Sequence, residues 1–335
     1  MDLQRIRWID MAKGYGMLCV ILGHLQYWFI GDYVYTFHIP LFFFLSGYVF
    51  KTYDSFGTFF KKKCKTMVVP YFLYGFILML SDMFFQYGFG KFGWRKTLNE
   101  LFVQKRAWTL WFLACLIVLE LVYYLLLKIC RENLIVISVI TLAMTVLGVL
   151  YFQHWNGDAL PWNVDTVLTA ILFFHVGYVL KETDLLEYVI HCHRRWMLWA
   201  CAVGFFCLHF MVNLWNLNLS GEHLEMFYMK YGNPMLTYLD AFLGISFVAL
   251  ISSRTTNSLI RYMGKNSLTF FALHQGVAIP LLKVMTWYTG WLKDGYNWKD
   301  HLIYMVGYTV LVIVIMTLIT ECIHLVKTVR NKLQC

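Results

Sequence analysis

The sequence predicts an all-α integral membrane protein: one bundle of about ten transmembrane helices with both termini in the cytoplasm. Three observations predict it. The chain of 335 residues is 60% hydrophobic and only 14% charged, which is not the composition of a soluble domain. Its apolar runs recur from end to end, at lengths able to cross a hydrocarbon core of ~30 Å. Its cations gather in the short segments between those runs, where they set orientation.

Taken in order, the apolar runs cover 11–30, 36–53, 67–87, 108–127, 134–152, 163–180, 196–214, 234–251, 267–285 and 301–323. An even number of spans places both termini on one side. With that side cytoplasmic, most of the 28 Lys and Arg residues fall inside, including Arg5, Arg7 and Lys13 at the start, Lys61, Lys62, Lys63 and Lys65 before the third span, and Lys327, Arg330 and Lys332 at the end. The first run is read as a retained span rather than a cleaved signal, because no small-x-small site follows it. In this topology all nine cysteines lie in spans or cytoplasmic segments, which argues against a disulfide framework. No Cys or His spacing suggests a metal site. The net charge of +9 does not point to nucleic acid, since the cations flank spans rather than form a basic stripe with stacking aromatics. Two outer segments stand out. Residues 87–107 carry Lys91, Arg95, Lys96, Lys105 and Arg106, against the positive-inside trend, and 214–233 carry Glu222, His223 and Glu225. They are connectors, or a lid for an acceptor. No repeat or flexible linker divides the chain, so 1–335 is read as one domain.

The densest chemistry lies in the first fifty residues. Lys13 and His24 are eleven positions apart, three helical turns, so they share a face with an axial offset of ~16 Å. Lys13 is then expected at a membrane surface and His24 near the midplane. An ionisable side chain at that depth faces the bundle interior and is functional by default, and a neutral imidazole there can still accept a proton. The second run carries His38 just before Pro40, and Ser46-Gly47 suits close packing of spans. Arg7 and Lys13, with Asp10 to orient them, form a cluster able to hold phosphates. Asp165 and Asp240 near the outer ends of the sixth and eighth spans, and Glu120 inside the fourth, are acids in need of partners. Trp111 is a belt aromatic or a stacking surface for a sugar ring. Asn266 reads first as a helix N-cap. His175 and His209 read first as packing histidines.

Lys13-x10-His24 and the run Phe37-His38-Ile39-Pro40-Leu41-Phe42-Phe43-Phe44-Leu45-Ser46-Gly47-Tyr48 resemble the signatures of the membrane acyltransferase 3 family, the O-acyltransferases of cell-envelope polysaccharides. The likeness is greatest to its compact, fucose 4-O-acetylase-like members. Weaker echoes follow at Val69-Pro70-Tyr71, Leu110-Trp111-Phe112-Leu113, Phe173 to Tyr178, and Met263 to Leu268 with His274. Lys13 stands where Arg is commoner in that family.

The resemblance implies a multi-pass enzyme of the cell inner (plasma) membrane. It would move an acyl group, acetyl in the first instance, from cytoplasmic acyl-CoA to a hydroxyl of a free or lipid-linked carbohydrate outside. Acetyl-CoA is expected as donor substrate, with no tightly bound cofactor, no metal and no nucleic acid. His24 and His38 are the expected catalytic residues, Lys13, Arg7 and Asp10 the donor-binding set, and Asp165, Asp240, Trp111 and Asn266 the acceptor-binding set. The competing class is a proton-coupled carrier, which intramembrane His and Asp would suit. Against it, two halves of matching hydropathy with broken spans are not evident.

Overall fold

The computed structural model describes residues 7–25, 28–87, 93–154, 159–191, 194–222, 224–288 and 302–333. Arg5, Lys91 and His223 lie outside these segments. Among the described residues the ordered elements are helices, and the only strand-like pairing is an isolated bridge between Glu225 and Lys230.

Eight helical stretches are long and apolar enough to cross a membrane: Phe56–Phe85, Trp111–Ile129, Leu134–His154, Pro161–Glu182, Arg195–Ser220, Pro234–Arg254, Ser267–Thr286 and Met305–Val329. They correspond to the third through tenth runs of the sequence. The first two runs fold differently from the expectation. Residues 11–30 do not form one span. Helix α1 (Arg7–His24) stops at His24 after 18 residues, ~27 Å at 1.5 Å per residue, and carries Arg7, Asp10 and Lys13. A short helix α2 (Trp28–Tyr35) follows. Residues 36–53 are helical only over α3 (His38–Tyr48), 11 residues or ~16 Å, too short to cross alone. Pro40 falls in the first turn of α3, where its missing N–H breaks no helical bond. His24 is therefore the last residue of its helix, beside a turn at Leu25.

Despite its charges, α1 is the axis of the bundle. It packs on α12 (Pro234–Arg254), α13 (Ser258–Lys265), α14 (Ser267–Leu273), α16 (Leu302–Leu333), α2 and α3. The approach to α13 is backbone to backbone, since a Cβ on Gly14 would overlap the Ile260 carbonyl and one on Gly264 the Asp10 carbonyl. The same device joins α3 to α9 (Val164–Glu182), where Gly47 meets the Phe174 carbonyl and Gly177 meets that of Phe44. Small residues bring membrane helices this close, and dispersion between backbones then holds them. The peripheral helices α8 (Leu134–His154), α11 (Arg195–Ser220) and α16 expose Val139, Leu147, Trp199, Met211, Val310 and Leu318 among many others. Apolar exposure of that extent marks contact with lipid.

Two prolines lie beside π turns. Pro280 has no N–H for the carbonyl of Gly276 four residues earlier. The chain opens into a wider π turn over His274–Ala278 ahead of α15 (Ile279–Tyr288). Ser81, at the end of α5 (Val69–Asp82), donates its hydroxyl to that Gly276 carbonyl. Pro70 sits just after a second π turn, Cys64–Val68, which joins α5 to α4 (Phe56–Lys63). π turns of this kind re-aim side chains at functional positions.

Candidate functional site

The end of α1, the turn into α3 and the π turn before α15 meet around one cavity of about 550 Å³. His24, Gly23, Asp32, Tyr35 and His38 come from the first fifty residues, Phe271 from α14, and Gln275 and Gly276 from the π turn. Two imidazoles, His24 and His38, line it, and a third, His274, packs against His24. The rings of His24 and His274 stand 4.9 Å apart between centroids. Tyr35 lies between the other pair, 6.3 Å from His24 and 5.2 Å from His38.

Two of these rings have an assignable tautomer. A backbone carbonyl only accepts. His38 Nδ1, 2.7 Å from the Val34 carbonyl, must therefore donate. His274 Nδ1 likewise donates to the carbonyls of Phe270 and Phe271 at 3.0 and 2.9 Å. In each neutral ring the proton is thus on Nδ1, and Nε2 keeps its lone pair. The His274 Nε2 is buried and has no hydrogen-bond partner. A lone pair of this kind, fixed in direction, is what a general base needs.

A strap over 104–109 builds the opposite wall. Gln104, Arg106 and Trp108 all adopt positive φ, so the strap is a strained turn held from outside. Gln104 donates to the Tyr71 hydroxyl at 3.0 Å and accepts from the Ala107 N–H at 2.6 Å. Asn163 accepts from the Arg106 N–H and donates to the Trp111 carbonyl, each at 3.1 Å. The Thr109 hydroxyl donates to the Ala272 carbonyl at 2.9 Å, one turn before His274. The strap so held presents Trp108 and, at the start of α7 (Trp111–Ile129), Trp111 to the cavity. The Trp108 indole N–H donates to Asp82 at 2.6 Å. The turn closed by the Glu225–Lys230 bridge completes the wall with Glu225, Phe227 and Tyr228.

The structure thus brings His24, His38 and Trp111 together. Asp165 does not reach the cavity. It is buried and held by Arg106 at 2.5 Å, so it anchors the strap. Asp240 is also buried, bonded through one oxygen to His209 at 2.5 Å and through the other to Asn213 at 3.2 Å, and it does not line the cavity. Asn266 does sit between α13 and α14, but its side chain makes no capping bond and donates back to the Tyr262 carbonyl at 3.1 Å. Arg7, Asp10 and Lys13 lie toward the other end of α1. Arg7 is exposed, Lys13 half-buried, and Asp10 buried with Arg261 Nε 3.9 Å from its carboxylate. None of the three lines the cavity, as their separation of about three to five turns from His24 requires. Glu120 pairs with Lys63 at 2.6 Å. The sequence reading missed Tyr35, Asp82, Trp108, Phe227 and Gln275. Of these, only Trp108 and Asp82 carried a signal, as polar or amphipathic residues at the edges of apolar runs.

A family model described as an acyltransferase domain matches residues 6–321. The chain belongs to the acyltransferase 3 family. No curated protein and no solved structure matches it. Membership covers nearly the whole chain and makes the protein a membrane acyltransferase by family, with the cavity lined by His24 and His38 as its candidate active site.

Proposed function

We propose that the protein is an O-acyltransferase of the plasma membrane, moving an acetyl group from acetyl-CoA to a hydroxyl of an extracytoplasmic carbohydrate. The observation that carries this reading is an aromatic-walled cavity lined by His24 and His38, with the His274 ring 4.9 Å from that of His24. An imidazole lone pair there removes the proton of an acceptor hydroxyl as its oxygen attacks the thioester carbonyl. The tetrahedral oxyanion collapses, the C–S bond breaks, and the thiolate of coenzyme A takes up the proton from the imidazolium. Gln275 and Tyr35 are among the wall residues with neutral donors, able to face the oxyanion.

The acceptor half of the reading rests on the wall. Trp108, Trp111 and Tyr228 offer rings for the apolar faces of a sugar, and Asp32, Asp82 and Glu225 offer acceptors for its hydroxyls. Among the described lining residues there is no Lys or Arg, so the phosphates of coenzyme A belong elsewhere. The Arg7, Lys13 and Arg261 end of α1 is the proposed place for them, with only the acyl-pantetheine arm reaching His24.

The test is label transfer. Purified protein in detergent, given radiolabelled acetyl-CoA and envelope glycan, is expected to label the glycan, and His24→Ala is expected to abolish that labelling without loss of folded protein. Wild-type activity in the variant, or substrate accumulation in vesicles without any transfer, removes the reading.

A further inference from the structure

Helix α11 is mostly turned to lipid, yet it carries one buried polar stripe: His209, Asn213 and Asn216, spaced i, i+4, i+7 and therefore on one face. The stripe is zipped to α12. His209 Nδ1 is 2.5 Å from Asp240, Asn213 donates to the other Asp240 oxygen, and Asn216 donates to Thr237 at 2.9 Å while accepting from the Asn233 N–H at 2.9 Å. With Nδ1 committed to a carboxylate and the surrounding rings closed, the His209 imidazole has one orientation.

That orientation is set against the segment that carries the site. The His209 ring lies 4.4 Å from Tyr33 and meets Phe37 edge-on at 5.1 Å and 87°. Gly244 of α12 lets the Phe37 ring press directly on the helix backbone. Between Tyr33 and Phe37 is Val34, whose carbonyl accepts from both the Phe37 N–H at 3.4 Å and His38 Nδ1 at 2.7 Å. The next side chain on the other side of the turn is Tyr35, in the cavity wall. Residues 33–38 are thus a turn gripped from behind at Tyr33 and Phe37, while Tyr35 and His38 face the cavity. The grip is not simply good packing. His209 Nε2 and the Tyr33 hydroxyl are both buried without a hydrogen-bond partner, which lowers stability rather than raising it.

We infer that His209 and Asp240 are positioning residues: they hold the 33–38 turn so that the Val34 carbonyl fixes the tautomer and direction of His38. Neither residue lines the cavity, and the effect is transmitted through the Tyr33 and Phe37 rings. The functional part of this inference rests on the acyltransferase reading above, whereas the geometric part does not.

A double-mutant cycle on acetyl transfer tests it. Asp240→Asn keeps the shape and removes the carboxylate. In the wild-type background it is expected to lower kcat about tenfold with KM for acetyl-CoA unchanged. In a His38→Gln background the same substitution is expected to change kcat less than about twofold, because nothing remains to be positioned. An undiminished tenfold loss in the His38→Gln background, or no loss of kcat in the wild-type background, overturns the inference. A second measurement is independent of activity. With 15N-labelled histidine, the His38 Nδ1 resonance of wild-type protein is expected to report a protonated, hydrogen-bonded nitrogen, and Asp240→Asn is expected to shift it. An unshifted His38 resonance overturns the inference even where the protein transfers acetyl groups. A shifted one upholds the geometry even where it transfers none, which separates failure here from failure of the proposed function.

Discussion

His175 and the His24–His38–His274 cluster are the same side chain placed in the same bundle, and they differ in what is left over. His175, on α9, has both ring nitrogens occupied: Nδ1 by the Tyr123 hydroxyl at 2.8 Å and Nε2 by Ser138 at 2.7 Å. It is a cross-link between three helices. In the cluster, His38 and His274 commit Nδ1 to carbonyls of their own turns, and His24 stands beside them at a cavity. All four sit among apolar helices, so neither burial nor residue type separates the two cases. A lone pair next to open space does.

The largest effect expected from that difference is on His24. Its replacement by Ala should lower acetyl transfer about 10²–10⁴-fold, the usual span for loss of a general base, with size-exclusion profile and yield unchanged. His274→Ala should follow at about 10–10²-fold, acting on the ring 4.9 Å away. His175→Phe should do the converse: transfer within about threefold of wild type, and stability down by about 1–3 kcal/mol for two partners left unsatisfied. Should His175→Phe cut transfer as deeply as His24→Ala at unchanged thermal stability, the distinction by spare lone pairs is broken.

How much of this was legible in the chain follows from the range over which each signal acts. His24 and His38 could be singled out because their spacing and their neighbours lie within the first fifty residues, and the eight later spans because apolar length is a local property. The early termination of α1 was not legible. It falls at Leu25, with α2 beginning again at Trp28, inside a run whose composition alone reads as continuous helix. Asp240 was read as a sugar ligand for want of its partner. His209 lies 31 residues away, and only knowledge that α11 and α12 are neighbours joins them. The i, i+4, i+7 polar stripe on α11 was the available clue. The partner of Asp165 was hidden for a related reason, because Arg106 sits 59 residues before it in a strap whose positive-φ residues no propensity foretells.

That strap sharpens the comparison from the opposite wall. If it only closes the fold, Asp165→Asn should cost stability and nothing else. If it places Trp108 and Trp111 for the acceptor, the same variant should raise the acceptor KM about three- to tenfold while leaving KM for acetyl-CoA alone, because loosening Arg106 frees the strap but not His24. Parallel KM determinations for the two substrates distinguish these outcomes. Breaking the buried pair by removing the acid leaves a guanidinium uncompensated, so a loss of about 3–5 kcal/mol in stability is expected as well.

The smallest predicted effect lies at the rim, where Glu225 faces Asp32 and is opposed by Lys230. Burial raises the Glu225 carboxyl above its ordinary range, Lys230 works against the shift, and Asp32 adds to it. Below its titration range Glu225 is protonated and has lost half its accepting capacity; above it, the carboxylate can take two sugar hydroxyls. The acceptor KM should therefore fall as pH rises through that range, and the limb should lie above the pH of ~4.3 at which an unperturbed Glu titrates. The change should be modest, about two- to fivefold, as expected for one hydrogen bond at a partly wet site. Glu225→Gln should flatten this limb while leaving untouched any limb due to the imidazoles, since Gln keeps an acceptor at every pH. A pH series of acceptor KM on the two proteins, at saturating acetyl-CoA, measures it directly. An identical limb in the variant would assign that titration to the histidine cluster and confine Glu225 to shaping the turn that carries Phe227 and Tyr228.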